Sequence, residues 1–423
     1  MKSKQILKDV LQDAKFEAKR LNYMSRNFRF EKNANYVFVG IRRAGKSYLM
    51  FQRMHELVKK GVSWDSILYV NFEDERLEGF TAEDFNTFLE IHYELYNTEP
   101  ICFFDEIQNV AGWEKFVRRL ADSQRKVYVT GSNAKMLSSD VATTLGGRFL
   151  IQEVYPYDFS EFLKAQFIPF ENYNSFSTVE RAKILNAFDM YFYFGGFPEL
   201  LLMADKRNYL TSIYQKIYLG DIIARYKISN VFALRIMVKK IAESIKQPLS
   251  YNRIANIITA TGNKIGTSTV INYMENVKGS WLLLSVQNIA AKIAQKESSP
   301  KYYFTDNGLL NLFLTDPETS LLENLVAITL IKKYGRQDEV FFYEKNIEVD
   351  FYIPKESLAV QVCYSIENDE TLNREVTALK KISEVLPCKK MLIVTRDNDE
   401  IINKDGMIIE VVSAWKWLLE MSA

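Results

Sequence analysis

The stretch Tyr36–Met54 reads YVFVGIRRAGKSYLMFQRM. An apolar, β-rich run from Tyr36 to Val39 leads into Gly40, Ile41, Arg42, Arg43, Ala44, Gly45, Lys46 and Ser47, and a helical pattern follows from Tyr48. This is G-x-x-x-x-G-K-[ST] with a strand before it and a helix after it, the context its chemistry requires. Glycines let the backbone turn tightly, so that N–H groups at a helix N-terminus surround a triphosphate. Lys46 adds a cation for the β- and γ-phosphates, and the Ser47 hydroxyl is a ligand for Mg²⁺. Residues Gly40 to Tyr48 are therefore the expected binding set, with ATP and Mg²⁺ as cofactors. Arg42 and Arg43 lie inside the loop, where a solvated or partner-facing role competes with phosphate contact.

Downstream, ICFFDEIQNV (101–110) is an apolar strand ending in Asp105-Glu106. An acid at the end of a buried parallel strand completes a Mg²⁺ shell, and a neighbouring Glu polarises the attacking water. SILYVNFEDERL (66–77) and KVYVTGSNAKML (126–137) add further strands, so strands alternate with helices. That alternation predicts an α/β fold with a parallel sheet and ligands at the strand carboxyl ends. Ser132 and Asn133 follow one such strand, placed for the γ-phosphate or for water. Arg148, in LGGRFLIQEV, is placed to contact phosphate from its own or a neighbouring subunit. A homo-oligomer acting in trans and a monomer both remain open.

The 423 residues carry a net charge of +1, which excludes a globally basic nucleic-acid binder and confines any such role to local patches. Residues 1–32 hold nine Lys/Arg against four acids, and residues 235–281 hold seven against two. Three cysteines without paired spacing and two histidines argue against a disulfide framework or a zinc site, and suit a reducing compartment. No apolar run approaches a membrane span, and the charged N-terminus is unlike a signal peptide. The expectation is a cytoplasmic protein without membrane contact. The N-terminus itself reads as an amphipathic helix with Ile6, Val10, Leu11 and Phe16 on one face.

In the middle, Phe159 to about Tyr226 is helical and aromatic-rich, and GGFPE (195–199) reads as a hinge between helices. LSYNRIANIITATGNKIGTSTVINYMENVKGSWLL (249–283) reads as two helices with a tight turn. Ser250 caps the first, with Ile254, Ile257 and Ile258 inward. Thr267 caps the second, with Val270, Ile271, Met274 and Val277 inward. WLLLSVQNI and KYYFTD supply a wing. Residues 250–281 are the candidate DNA contact, the second helix exposing Ser268, Asn272 and Tyr273 between Lys264 and Lys278.

GIRRAGKS, YVNFEDERL, FFDEIQNV, VTGSNAKML, GGRF and YPYDFSEFL together resemble the AAA-type ATPases of bacteria and archaea that carry a C-terminal domain of unknown function. YFYFGGFPEL, LGDIIARY, YYFTDNGLLNLFL, LLENLV and EVDFYIP continue the likeness over nearly the whole chain. The resemblance implies ATP hydrolysis and a P-loop ATPase domain at 1–158. It also implies a helical lid at 159–230, a winged helix at 231–315 and a restriction-endonuclease-like α/β domain at 316–423. In active members of that last fold a helical Glu and a strand-end Asp bind Mg²⁺, and the next strand supplies an acid or Gln, then a lysine. Here the matching positions are Glu323, Asp350, Gln361 and Cys363. A neutral thiol offers no fixed cation, and loss of such an element costs about two to three orders of magnitude in rate. Lys345 and Lys355 are the substitutes considered. The expectation is an ATPase (Lys46, Glu106, Arg148 and Ser132 in the reaction, Ser47 and Asp105 on the metal) whose nucleotide state controls DNA or partner association. An ATP-gated nuclease and a nonenzymatic scaffold are the alternatives.

Overall fold

Five short apolar runs in the first part of the chain become β1 (Asn35–Val39), β2 (Ile67–Asn71), β3 (Ile101–Asp105), β4 (Val127–Gly131) and β5 (Phe149–Glu153). A computed structural model describes residues 2–133, 136, 139–336, 339–404 and 406–422. Ala134, Lys135 and Leu137 of the VTGSNAKML motif thus lie outside the described residues. The five strands form one parallel sheet in the order β2-β3-β4-β1-β5. All five residues of β1 and of β4 are buried, as expected for central strands covered on both faces. Because β3, β4 and β1 are neighbours, their carboxyl ends place Asp105, Gly131 and Gly40 along one edge of the sheet. That edge is where an open parallel sheet receives its ligand.

Helix α1 (Lys4–Arg20) packs against β2 in the same unit, which spans residues 1–155 and 279–281. Its inward face is Leu7, Val10, Leu11 and Ala18. Ile6 and Phe16 correct the sequence expectation: they are 38% and 58% exposed. The buried stripe therefore lies one residue round from Ile6, on Leu7.

The second unit spans residues 156–278 and 282–423. Its sheet has eight strands in the order β12-β13-β11-β10-β9-β8-β6-β7. These are β6 (Leu283–Asn288), β7 (Lys301–Phe304), β8 (Phe341–Glu344), β9 (Glu348–Ile353), β10 (Leu358–Val362), β11 (Lys390–Thr395), β12 (Glu400–Lys404) and β13 (Met407–Ser413). β6 and β7 pair antiparallel as a hairpin, but β6 also runs on to pair parallel with β8 through Gln287 and Asn288. One sheet thus runs through the hairpin and the C-terminal strands.

Three sequence motifs meet in a buried polar joint of this unit. Asp306 accepts the Gly196 and Gly308 N–H groups, each at 2.8 Å. Asn307 donates to the Phe192 carbonyl at 3.0 Å and to that of Leu321 at 3.1 Å, while Asn324 donates to Asn307 at 2.9 Å. YFYFGGFPEL, YYFTDNG and LLENLV are therefore bound to one another inside the core. Elsewhere, Arg396 pairs with Asp189 and lies 4.3 Å from the Phe188 ring centroid, which ties the end of β11 to the helix Thr178–Phe194.

The helix pair is Tyr251–Ala260 and Thr267–Gly279. Ser250 caps the first by accepting from the Arg253 N–H at 3.2 Å. In the second, Val270, Met274 and Val277 face inward, but Tyr273 joins them at 7% exposure and Ile271 is 38% exposed. These two positions correct the expected face: Tyr273 leaves the surface set, which is Ser268, Ile271, Asn272 and Glu275. Thr267 opens the helix, and its hydroxyl donates to Asn252 at 2.8 Å. Among the described residues, no helix is long and apolar enough to cross a membrane.

Candidate functional site

The loop between β1 and α2 (Lys46–Lys59) takes the shape that its glycines permit. Gly40 has φ +153°, and a Cβ there would lie 2.1 Å from the Val154 carbonyl oxygen, so no side chain fits. Gly45 has φ +95° and precedes the first turn of α2. Arg43 adopts φ +63°, an uncommon conformation for a residue with a Cβ. Ile41 and Ala44 are buried, Arg43 is exposed, and Arg42 pairs with Glu73 at 2.9 Å. Tyr48 projects from the first turn with its ring exposed. From outside the motif, Arg26 donates to the Ala44 carbonyl at 3.2 Å and to that of Tyr155 at 3.0 Å, bracing the loop.

Lys46 is buried and folds back over this loop. Its ammonium donates to the carbonyls of Gly40 at 3.2 Å and Ile41 at 3.1 Å, and lies 3.6 Å from Glu106 Oε1. Asp105, at the end of β3, accepts the Tyr69 hydroxyl at 3.1 Å on one oxygen and the Thr130 hydroxyl on the other. Glu106 is left-handed at φ +50°, and its N–H donates to Thr130 Oγ1 at 2.9 Å. Thr130 thus links both acids. Gln108 donates its amide to Glu106 Oε2 at 2.5 Å and, more weakly, to Ser132 Oγ at 3.4 Å.

The two acids are driven in opposite directions. Burial and the neighbouring Glu106 charge raise Asp105 above the usual carboxylate value, against the pull of Thr130, Ser47 and Lys46. Burial also works against the Glu106 charge, but Lys46, Gln108, Arg42 and Ser132 together hold its pKa below the usual value. Glu106 is therefore ionised at neutral pH, the state a water-polarising base requires. Ser47 is among the groups that pull the Asp105 pKa down, so the two groups expected on Mg²⁺ act at one point. The donor set is hard oxygen, which fits that ion.

The structure therefore brings together Lys46, Ser47, Asp105, Glu106 and Ser132. Arg148 is exposed; it pairs with Asp122 and donates to the Gly146 carbonyl at 3.2 Å. Sequence reasoning missed Arg26, Tyr69, Gln108 and Thr130. Only Gln108, two residues beyond Glu106, and Thr130, at the end of its strand, lay close enough to a motif to be noticed.

A second group of polar residues is buried in the other unit. Glu323 lies on the helix Glu318–Tyr334, Asp350 in β9 and Gln361 in β10, and all three reach one cluster. Cys363 borders the cluster without bonding to it: its thiol donates to the Ser365 carbonyl at 3.0 Å, it belongs to an apolar core with Val376 and Leu379, and burial and the nearby Glu375 charge raise its pKa. The cation at the cluster is neither Lys345 nor Lys355 but Lys301, from β7. It lies 22 residues before Glu323, on a strand that the nuclease-like motif does not include.

Residues 32–163 match the family model of an AAA domain, and residues 185–320 match that of a domain of unknown function, DUF8612. The Uncharacterized protein MJ1544 of Methanocaldococcus jannaschii is 33% identical, with 98% of this chain and 95% of that protein covered. An uncharacterized protein of Haemophilus influenzae is 30% identical over 95% of this chain and 98% of its own length. Among solved structures, the Walker-type ATPase paby2304 of Pyrococcus abyssi aligns with 74% of this chain and 96% of its own, at 14% identity and a TM-score of 0.43. The chain carries an AAA domain and belongs to the same family as MJ1544 of Methanocaldococcus jannaschii.

Proposed function

We propose that this protein is a cytoplasmic ATPase that binds ATP with Mg²⁺ and hydrolyses it to ADP and phosphate. The observation that carries this reading is the convergence of Lys46, Ser47, Asp105 and Glu106 at one edge of the parallel sheet. The Gly40–Ser47 backbone takes the phosphates, and Lys46 exchanges its loop carbonyls for their oxygens. Ser47 and Asp105 hold Mg²⁺, which when bound neutralises charge on the β- and γ-phosphates. Glu106 accepts a proton from the attacking water while the bond between the γ-phosphorus and the bridging oxygen breaks. Ser132 orients that water or a γ-oxygen. Arg148 is the arginine we assign to the γ-phosphate, from its own or a neighbouring subunit.

Nucleotide state is proposed to control association of the second unit with DNA or a protein partner. The helix pair, as far as Lys278, and the eight-stranded sheet belong to that one unit. The outer row of the second helix offers Ser268, Ile271 and Asn272, while Lys278 is committed to Glu275 at 2.9 Å. That row is too weakly basic to bind DNA through charge alone.

One assay tests these assignments: phosphate release from ATP, with and without duplex or single-stranded DNA. Lys46→Ala is expected to abolish turnover, and Arg148→Ala to reduce it. If Arg148 acts in trans, wild-type activity per molecule rises with protein concentration. Undiminished turnover in Lys46→Ala would remove the ATPase assignment. Identical rates with and without DNA would leave a protein partner as the reading.

A further inference from the structure

The C-terminal carboxylates face a cation that no motif announced. Lys301, the first residue of β7, has no exposed surface. Its ammonium lies 2.9 Å from Glu348 Oε1, 3.3 Å from Glu323 Oε1 and 3.6 Å from Asp350 Oδ1. Strand β7, the helix Glu318–Tyr334 and strand β9 are joined at that one nitrogen.

Several other polar atoms around it are also met by the chain. The Tyr303 hydroxyl donates to Glu323 Oε1 at 2.9 Å, and the Val362 N–H donates to Asp350 Oδ2 at 2.9 Å. Gln361 accepts the Asp350 N–H at 2.8 Å and donates to Glu375 at 2.8 Å, and Glu375 also pairs with Arg374 at 2.6 Å. Burial works against the Lys301 charge, but Glu323, Asp350 and Glu348 outweigh it and raise the lysine pKa. Burial pushes Glu323 up to about 7 and Asp350 above its usual value. More negative charge is gathered here than one ammonium balances, so losing that ammonium would leave a strong demand for another cation.

We propose that the Lys301 ammonium is the resident cation of this centre, standing between carboxylates that would otherwise take a divalent ion. A metal-dependent phosphodiesterase needs its carboxylates on the metal, with an open position for water or phosphate. An ammonium without exposed surface takes the point where the three carboxylates converge, with the half-exposed Glu348 on its solvent side. A divalent ion arriving beside it would also meet like charge at contact distance. With the ammonium in place, no group of three or more His, Cys, Asp or Glu side chains among the described residues is arranged to hold a metal ion. The centre thus holds the β6–β7 hairpin to the C-terminal sheet, and this assignment is independent of the ATPase reading.

The test uses the full chain without nucleotide and Mn²⁺ alone as probe, with bound ion followed by electron paramagnetic resonance. Wild type is expected to show no Mn²⁺ site that depends on Asp350. Lys301→Ala is expected to gain one Mn²⁺ and a rise in thermal midpoint on its addition, both lost in Lys301→Ala/Asp350→Asn. A wild-type Mn²⁺ site that disappears in Asp350→Asn overturns the proposal. So does a folded Lys301→Ala protein that gains no Mn²⁺. Should Lys301→Ala fail to fold, the comparison of wild type with Asp350→Asn decides alone.

Discussion

Glu106 is held by three neighbours at once: Thr130 at its N–H, Lys46 at Oε1 and Gln108 at Oε2. The Gln108 amide on Glu106 Oε2 marks Gln108 as a positioning residue. The Gln108 amide is among the groups that lower the Glu106 pKa. Removing it therefore raises that pKa, and protonation silences the base at a higher pH than in wild type. For Gln108→Ala the acid limb of the pH–rate profile for ATP turnover is expected to move upward, with KM little changed. An unmoved limb with a lower kcat would mean that Gln108 acts only on packing. At this scale the phosphate loop and the Asp105-Glu106 pair were legible in the sequence, because strand and helix flank them at short range. Tyr69 and Lys301 were not: each reaches its partners through strand pairing or a helix distant in the chain.

Among the elements, the GGFPE turn shows how a local reading misses a long-range one. Two glycines and a proline between helical runs read as a hinge. In the structure a Cβ on Gly195 would lie 2.0 Å from an Asp306 carboxylate oxygen, and one on Gly308 would lie 2.1 Å from the Phe194 carbonyl oxygen. The glycines are there for close approach between segments more than a hundred residues apart, so the turn is a fixed joint. Backbone cannot yield as a flexible side chain does. Gly308→Ala is expected to destabilise the second unit by about 2–4 kcal/mol, seen as a lower midpoint in denaturant unfolding. A midpoint within experimental error of wild type would show that the joint is loose. The same logic explains the two errors of helix face. Periodicity marks Ile6 and Ile271 as inward-facing, but which residues of a broad apolar stripe are covered depends on the neighbouring element. Tyr273 went the other way, since a tyrosine suits either side of an interface.

For the whole molecule, alternation of strands and helices foretold the α/β class and the parallel sheet, and Gly40–Ser47 foretold the glycine-bounded loop between β1 and α2. The sheet of the second unit was legible only as separate strands. Joining the β6–β7 hairpin to β8 takes a single short parallel pairing at Gln287 and Asn288, which leaves no pattern in the sequence. With Lys301 buried among the carboxylates, the chemistry we propose is confined to the first unit. The most direct measurement of that claim is retention of radiolabelled ATP on Glu106→Gln protein after rapid removal of free nucleotide. Without the base, the variant is expected to bind ATP with Mg²⁺ and recover it unhydrolysed, while wild type under the same conditions yields ADP. Equal conversion to ADP by both proteins would contradict the account, because the water would then be activated by some group other than Glu106.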